Sequence, residues 1–176
     1  MMKPHENDGT PFRTFEDLEA YQVAREFRKA MYRGARRLPE EEKYALANQI
    51  RRAAVSLTNN IAEAHGRSYY LEQIKFGLQS RGSLQELIDD LNVCSDEEYL
   101  EAVKISELKE QGWRIYQVLN GYLRYLRQRK AGSSIRLNES SPAYGLSEEE
   151  VDQILDDASW EPGSTVQRFN DSTISS

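Results

Sequence analysis

Cysteine occurs once, at Cys94, and histidine twice, at His5 and His65. A lone thiol excludes an intrachain disulfide framework and fits a reducing compartment. Three scattered soft ligands exclude a zinc cluster, which needs several His and Cys close together. The Glu-x-x-His pattern of di-iron bundles is missing as well, and the nearest approach is Glu63-x-His65. No phosphate-cradling glycine loop, dinucleotide fingerprint or nucleophile-elbow motif occurs. No metal, cofactor or catalytic residue is therefore expected, and the chain reads as a non-enzyme. There is no apolar run of about 18 residues, and the opening MMKPHENDGTPF carries no hydrophobic signal region. A cytoplasmic protein with no membrane span is expected. Excess positive charge is absent too: net charge is −6 and the pI is near 5.1. That argues against a protein that coats nucleic acid all over, although the placement of charge matters more than its sum. Sustained period-two alternation and hairpin signals are also lacking, which leaves an all-α fold.

What is present is helical periodicity. At 176 residues the chain favours one domain with a real core. Residues 1–14 hold two prolines, a glycine and polar side chains and read as a disordered lead. Residues 15–130 then divide into four amphipathic segments. The first spans about 15–37, with Ala20, Ala24, Phe27, Met31, Gly34 and Leu38 on one face, and Pro39 stops it. The second spans about 40–65, with acids at Glu40, Glu41 and Glu42 in its first turn and Gly66 at its end. Its stripe is Ile50, Ala53, Ala54, Leu57, Ile61 and Ala64. The third spans about 69–93, with Ser68 as the expected N-cap and Leu71, Ile74, Leu78, Leu84, Leu87, Ile88 and Leu91 inward. The fourth spans about 101–130, along Ile105, Leu108, Gly112, Ile115, Leu119, Tyr122 and Leu126. Four such helices with short connections imply an antiparallel up-down-up-down four-helix bundle. Gly77, Ser80, Gly82 and Ser83 inside one helix imply close helix contact that offsets the cost of the glycines.

Beyond Lys130 the composition changes. Residues 131–176 hold ten serines and nine acids against two bases, whereas the first 130 residues are close to neutral. Within this acidic tail, Ser147-Glu148-Glu149-Glu150 reads as a capping box. Val151, Ile154, Leu155 and Ala158 then share one face, followed by Trp160. The pattern predicts a short amphipathic helix over about 147–160 on a flexible tether, with Val151, Ile154, Leu155 and Trp160 able to bind a partner.

The stretch NQIRRAAVSLTNNIAEAHGR sets polar cargo beside an apolar stripe. Arg52, Ser56, Asn59, Asn60, Glu63 and Arg67 line up on one side of the second helix. A tight turn at 66–68 would bring Arg51 and Arg52 opposite Ser83 and Glu86, with an Arg–Glu86 pair fixing register. Arg51, Arg52, Asn60, Glu63, Ser83 and Glu86 thus form a candidate structural network, against the plainer reading of a solvated face. Glu63 with His65 is the one candidate acid–base pair, and its plain reading is a histidine suited to a helix C-terminus. The pairs Asp89-Asp90 and Glu97-Glu98 read as solvated helix ends. Basic residues gather on the first helix (Arg25, Arg28, Lys29, Arg33, Arg36, Arg37) and at the end of the fourth (Arg124, Arg127, Arg129, Lys130), with Arg67 and Arg13. These can hold phosphates, with Tyr122 and Tyr125 stacking on bases, or serve as an ordinary salt-bridged surface. Acids gather at the other end, among them Glu86, Asp89, Asp90, Asp96, Glu97, Glu98 and Glu101.

EKYALANQIRRAAVSLTNNIAEAHGR, GSLQELIDDL, EEYL and the opening FEDLEAYQVAREF occur in an order that resembles a bacterial family of four-helix bundles. These are the proteins encoded by intervening sequences in 23S ribosomal RNA genes. The likeness covers roughly 12–130. The family is also similar to the accessory variability determinants of diversity-generating retroelements, which assist a reverse transcriptase and its RNA. The resemblance implies a homo-oligomeric ring, a homopentamer, with a non-enzymatic role and nucleic-acid binding in the retroelement branch. It marks Gln49, Arg51, Arg52, Asn60, Glu63, Gly66, Arg67, Gly82, Ser83 and Glu86 as architectural. Thr58 and Ala64 stand near where the family has proline and glycine.

These readings converge on a self-assembling adaptor whose partner is RNA or DNA, or a nucleic-acid enzyme such as a reverse transcriptase. The alternative is a protein-only scaffold whose tail helix docks in a groove of a partner or a neighbouring subunit. A third reading has the tail cover the basic residues of its own chain.

Overall fold

The computed structural model describes residues 14–132, with the backbone alone for 129–132, and the single position Gln153. The expected lead, Thr14 apart, and the tail helix at 147–160, Gln153 apart, lie outside the described residues.

Four helices make up the fold: α1 (Glu19–Ala35), α2 (Leu46–Gly66), α3 (Tyr70–Asp96) and α4 (Ala102–Gly132). Among the described residues there is no strand. Each helix packs on two others, in the cycle α1–α2–α3–α4–α1. The direction of α2 against α3 is read from paired residues. Gln49 meets Asp90, Ser56 meets Ser83 and Leu57 meets Ser80, so one helix rises as the other falls. Likewise Asn92 meets Lys109, Arg81 meets Asn120 and Gly77 faces Leu123, so α4 runs opposite to α3.

The apolar stripes form the core. Phe27, Met31, Ile50, Leu57, Ile61, Leu84, Leu87, Leu91, Leu108, Ile115 and Leu119 are buried, along with every alanine expected in α1 and α2. A fully buried leucine or isoleucine contributes on the order of 2 kcal/mol. Ile74, Leu123 and Leu126 form a second, smaller cluster where α3 begins and α4 ends. Among the described residues, this cluster is made by α3 and α4 alone.

The segment boundaries differ from expectation in three places. Residues 15–17 form a 3₁₀ turn capped by Thr14, and Leu18 is extended, so α1 starts at Glu19. The acids at 40–42 lie in a 3₁₀ turn, Glu40–Lys43, and α2 begins only at Leu46. Glu42 caps α2 from outside, its Oε2 accepting from the Leu46 amide at 3.1 Å. Ser68 does not cap α3: Tyr69 holds the N-cap position, without a side-chain hydrogen bond.

Two glycines explain how closely α3 and α4 approach. A Cβ on Gly77 would lie 2.4 Å from Leu123 Cδ2, and one on Gly112 would lie 2.6 Å from Ile88 Cδ1. Gly82, expected to serve the same purpose, is exposed and faces open space.

Candidate functional site

The α2–α3 seam is polar along its length. Ser80 Oγ donates to the Leu57 carbonyl at 2.7 Å, and Ser83 Oγ donates to Ser56 Oγ at 2.8 Å. Asn60 Nδ2 donates to the same Ser56 oxygen at 3.1 Å. Further along, Gln49 Nε2 donates to Asp90 Oδ1 at 2.8 Å. Asp90 is buried, and its Oδ2 has no hydrogen-bond partner. Burial, reinforced by the charges of Glu86 and Asp89, pushes its carboxyl up to about 6, while the Gln49 bond opposes the shift. The expectation of a solvated Asp89-Asp90 pair therefore fails for Asp90. Rotation of α3 turns Asp89 outward and Asp90 into the seam. Cys94, one turn on, is also buried, and desolvation with the nearby Asp90 and Glu42 charges lifts its thiol to about 11. Tyr99 Oη donates to Glu42 Oε1 at 3.2 Å, and desolvation followed by the Glu42 charge raises its phenol above the ordinary value.

The expected Arg–Glu86 ion pair is not formed. Arg67 and Tyr69 are extended between α2 and α3, which lengthens the turn. Ser83 accordingly meets Ser56, about one helical turn away from Arg51 and Arg52. Arg52 and Glu86 instead line one open groove of about 560 Å³ with Tyr44, Asn48, Gln49 and Ser56. Arg51 Nη1 donates weakly to the Lys43 carbonyl at 3.4 Å. Arg67 pairs with Glu63 one turn back and lies 4.8 Å above the Phe76 ring. Glu63 is thus held by an arginine rather than by His65.

The basic residues fall into two groups. On α1, Arg28 points sideways, and its Nη1 donates to the buried Thr58 Oγ1 at 2.7 Å, tying α1 to α2. Lys29 pairs with Glu26 at 2.6 Å and, through that hydrogen bond first, lowers the Glu26 carboxyl. Arg25, Arg33, Arg36 and Arg37 are exposed and enter no ion pair within 4.0 Å among the described residues. The second group surrounds the α2–α3 turn and the last described turns of α4, with Arg67, Arg124 and Arg127. Tyr69 and Tyr125 are exposed at this end, and Tyr122 is half-buried against the small cluster. The side chains of Arg129 and Lys130 lie outside the described residues, as do Val151, Ile154, Leu155 and Trp160. Tyr69 was not singled out in the sequence; its exposure follows from ending the extended linker rather than beginning α3.

Among the described residues no cluster of His, Cys, Asp and Glu is placed to hold a metal ion. Among them, too, no helix is long and apolar enough to cross a membrane. What the described surface offers chemically is fixed cations, the exposed tyrosines Tyr44, Tyr69 and Tyr125, and a polar groove. A family model described as 23S rRNA-intervening sequence protein matches residues 16–121, more than half of the chain. No curated protein gives a significant match.

Proposed function

The chain belongs to the 23S rRNA-intervening sequence protein family, and from that premise we propose a non-enzymatic adaptor that assembles with copies of itself and holds nucleic acid. In this reading the four helices form an up-down-up-down bundle, and the bundles close into a cytoplasmic ring, a homopentamer. RNA or DNA, or a nucleic-acid enzyme such as a reverse transcriptase that carries it, is the partner.

The observation that carries the reading is the α1 surface. Arg25, Arg33, Arg36 and Arg37 are exposed and, among the described residues, have no carboxylate within 4.0 Å. Cations left without partners release counterions when they meet phosphates, which favours association at low salt. Arg124 and Arg127, with the exposed Tyr69 and Tyr125, supply a second contact at the α4 end. Stacking on such rings tolerates any base, so the expected recognition is of backbone and unpaired bases rather than sequence.

Polarisation anisotropy with labelled single-stranded RNA, at low salt, tests the reading. Arg25→Glu, Arg33→Glu and Arg36→Glu together abolish the signal while the helical circular dichroism and the oligomer mass stay unchanged. Equal binding by the triple variant sinks the α1 assignment. The protein-only scaffold is favoured instead by the tail's Val151, Ile154, Leu155 and Trp160 pattern, and an intact ring that binds no nucleic acid would support it.

A further inference from the structure

Arg25, Lys29, Arg33 and Arg36 recur at i, i+4, i+8 and i+11, which sets them in one row along α1. All four are exposed, and among the described residues Lys29 alone has a carboxylate partner within 4.0 Å. Like charges one turn apart repel, and against Arg25, Lys29 and Arg33 stands the single carboxylate of Glu26, whose carboxyl they lower, so the row keeps a net positive charge. Beside it, on the arc toward Arg28, lie the half-buried rings of Tyr21 and Tyr32.

One segment of the same chain carries the complementary pattern. Glu148, Asp152 and Asp156 repeat at i, i+4 and i+8, the spacing of Arg25, Lys29 and Arg33. Wound as an α-helix from the Ser147 capping box, this sequence would set Val151 and Leu155 on the arc next to these acids. The two surfaces therefore match twice, acids to cations and aliphatic side chains to tyrosine rings.

The chain is also long enough to return. At 1.5 Å per residue, α4 is about 46 Å long and α1 about 25 Å. Arg28 meets Thr58, Leu57 meets Ser80 and Arg81 meets Asn120, so Arg28 lies near the level of Asn120 and α4 ends only a few residues past the start of α1. The fourteen residues 133–146 span up to about 45 Å when extended, enough to bring Ser147 back to Arg25.

We propose that residues 147–160 dock as a helix on the α1 cation row of their own chain. Glu148, Asp152 and Asp156 then face Arg25, Lys29 and Arg33, and Val151 and Leu155 cover Tyr21 and Tyr32. The docking stands on charge, spacing and reach. Its consequence, a built-in competitor for phosphates on α1, rests on the nucleic-acid reading.

Carbodiimide cross-linking of the full chain tests the docking without nucleic acid, because the reagent joins an amine to a carboxylate in direct contact. Peptides linking Lys29 to residues 148–157 dominate over links from Lys43, Lys75, Lys104 and Lys109. Their yield falls several-fold at about 0.5 M salt, where screening shortens the range of charge to a few ångströms. It falls equally in Arg25→Gln, Arg33→Gln, Arg36→Gln protein, which keeps Lys29. In a co-refolded mixture of isotope-labelled and unlabelled chains, the linked peptides come from one chain. Links spread evenly over the lysines, an unchanged yield in the triple variant, or mostly mixed-isotope pairs would each overturn the proposal, the last by assigning the tail to a neighbouring copy. Intact cross-links with no RNA binding would leave the docking standing and remove the nucleic-acid reading.

Discussion

Gln49 on α2 donates its side-chain amide to Asp90 on α3 across 2.8 Å, and the other carboxylate oxygen of Asp90 is buried without a partner. The charged form of Asp90 is therefore strained in the folded protein, facing Gln49 from α2 and Glu86, Asp89 and Cys94 along α3, with Glu42 nearby. Its folded value, about 6, lies above the unfolded value near 4. A raised value means the group favours the folded state most when protonated. That contribution is complete below about pH 4 and is lost as pH rises through about 6. Relative to Asp90→Asn, the wild-type protein should lose about 1–3 kcal/mol of stability between these limits. Urea melts of both proteins at pH 4.5 and 7 give the difference, and parallel pH profiles would refute the assignment.

The three glycines of the α3–α4 region separate packing from propensity. Gly112→Ala gains up to about 1 kcal/mol of helix propensity but drives a Cβ against the partly buried Ile88 that packs on the core, which costs about 1–3 kcal/mol. Gly77→Ala does the same against Leu123. Gly82→Ala meets nothing within the chain and should stabilise by about 0.5–1 kcal/mol. Thermal melts should rank Gly82→Ala above wild type and both others below it. A lighter oligomer for Gly82→Ala would show that this open position is covered by another copy.

Arg28 and Arg25 should part company despite their shared helix. Arg28→Met removes the bond to buried Thr58 and should cost about 1–2 kcal/mol, with little effect on RNA affinity. Arg25→Gln should leave the melting temperature within a degree or two, a change under about 0.5 kcal/mol, and weaken RNA binding. Reversal of the two profiles would show that the α1 surface has been assigned the wrong way round.

Cys94 should resist thiol reagents. Its side chain is buried and its value sits near 11, so the thiolate is scarce at pH 8 and access is blocked. Ellman's reagent should react fully in denaturant and only at the rate of local opening in native buffer. Immediate native labelling would contradict the burial.

The core was legible because apolar spacing alone fixes which face of a helix turns inward. Phe27, Leu57, Leu87 and Leu119 were placed that way, and all four are buried. Features that depend on a turn were not legible. Three linker residues, 67–69, with Arg67 and Tyr69 extended, move α3 by about one turn against α2, so Ser83 meets Ser56 and the Arg–Glu86 pair is lost. Asp90 is not legible in the sequence for a related reason. In Asp89-Asp90 both residues are polar, and only the rotation of α3 decides which enters the seam. Gln49, exposed but next to the buried Ile50, was the one hint of a polar partner on α2. The α1 cations were legible as a stripe, whereas the diversion of Arg28 to Thr58 required the neighbouring helix. Tyr69 was hidden by its place at a boundary.

The most direct test of the adaptor account is the salt dependence of RNA binding. Single-stranded RNA would be titrated into the full chain, and into a full chain with Glu148→Gln, Asp152→Asn and Asp156→Asn, at 50 and 200 mM salt. Four phosphate contacts along α1 predict that affinity falls about 50-fold between the two salts, with the tail variant binding more tightly at each. No binding by either protein at 50 mM salt, with the oligomer intact, would contradict the account.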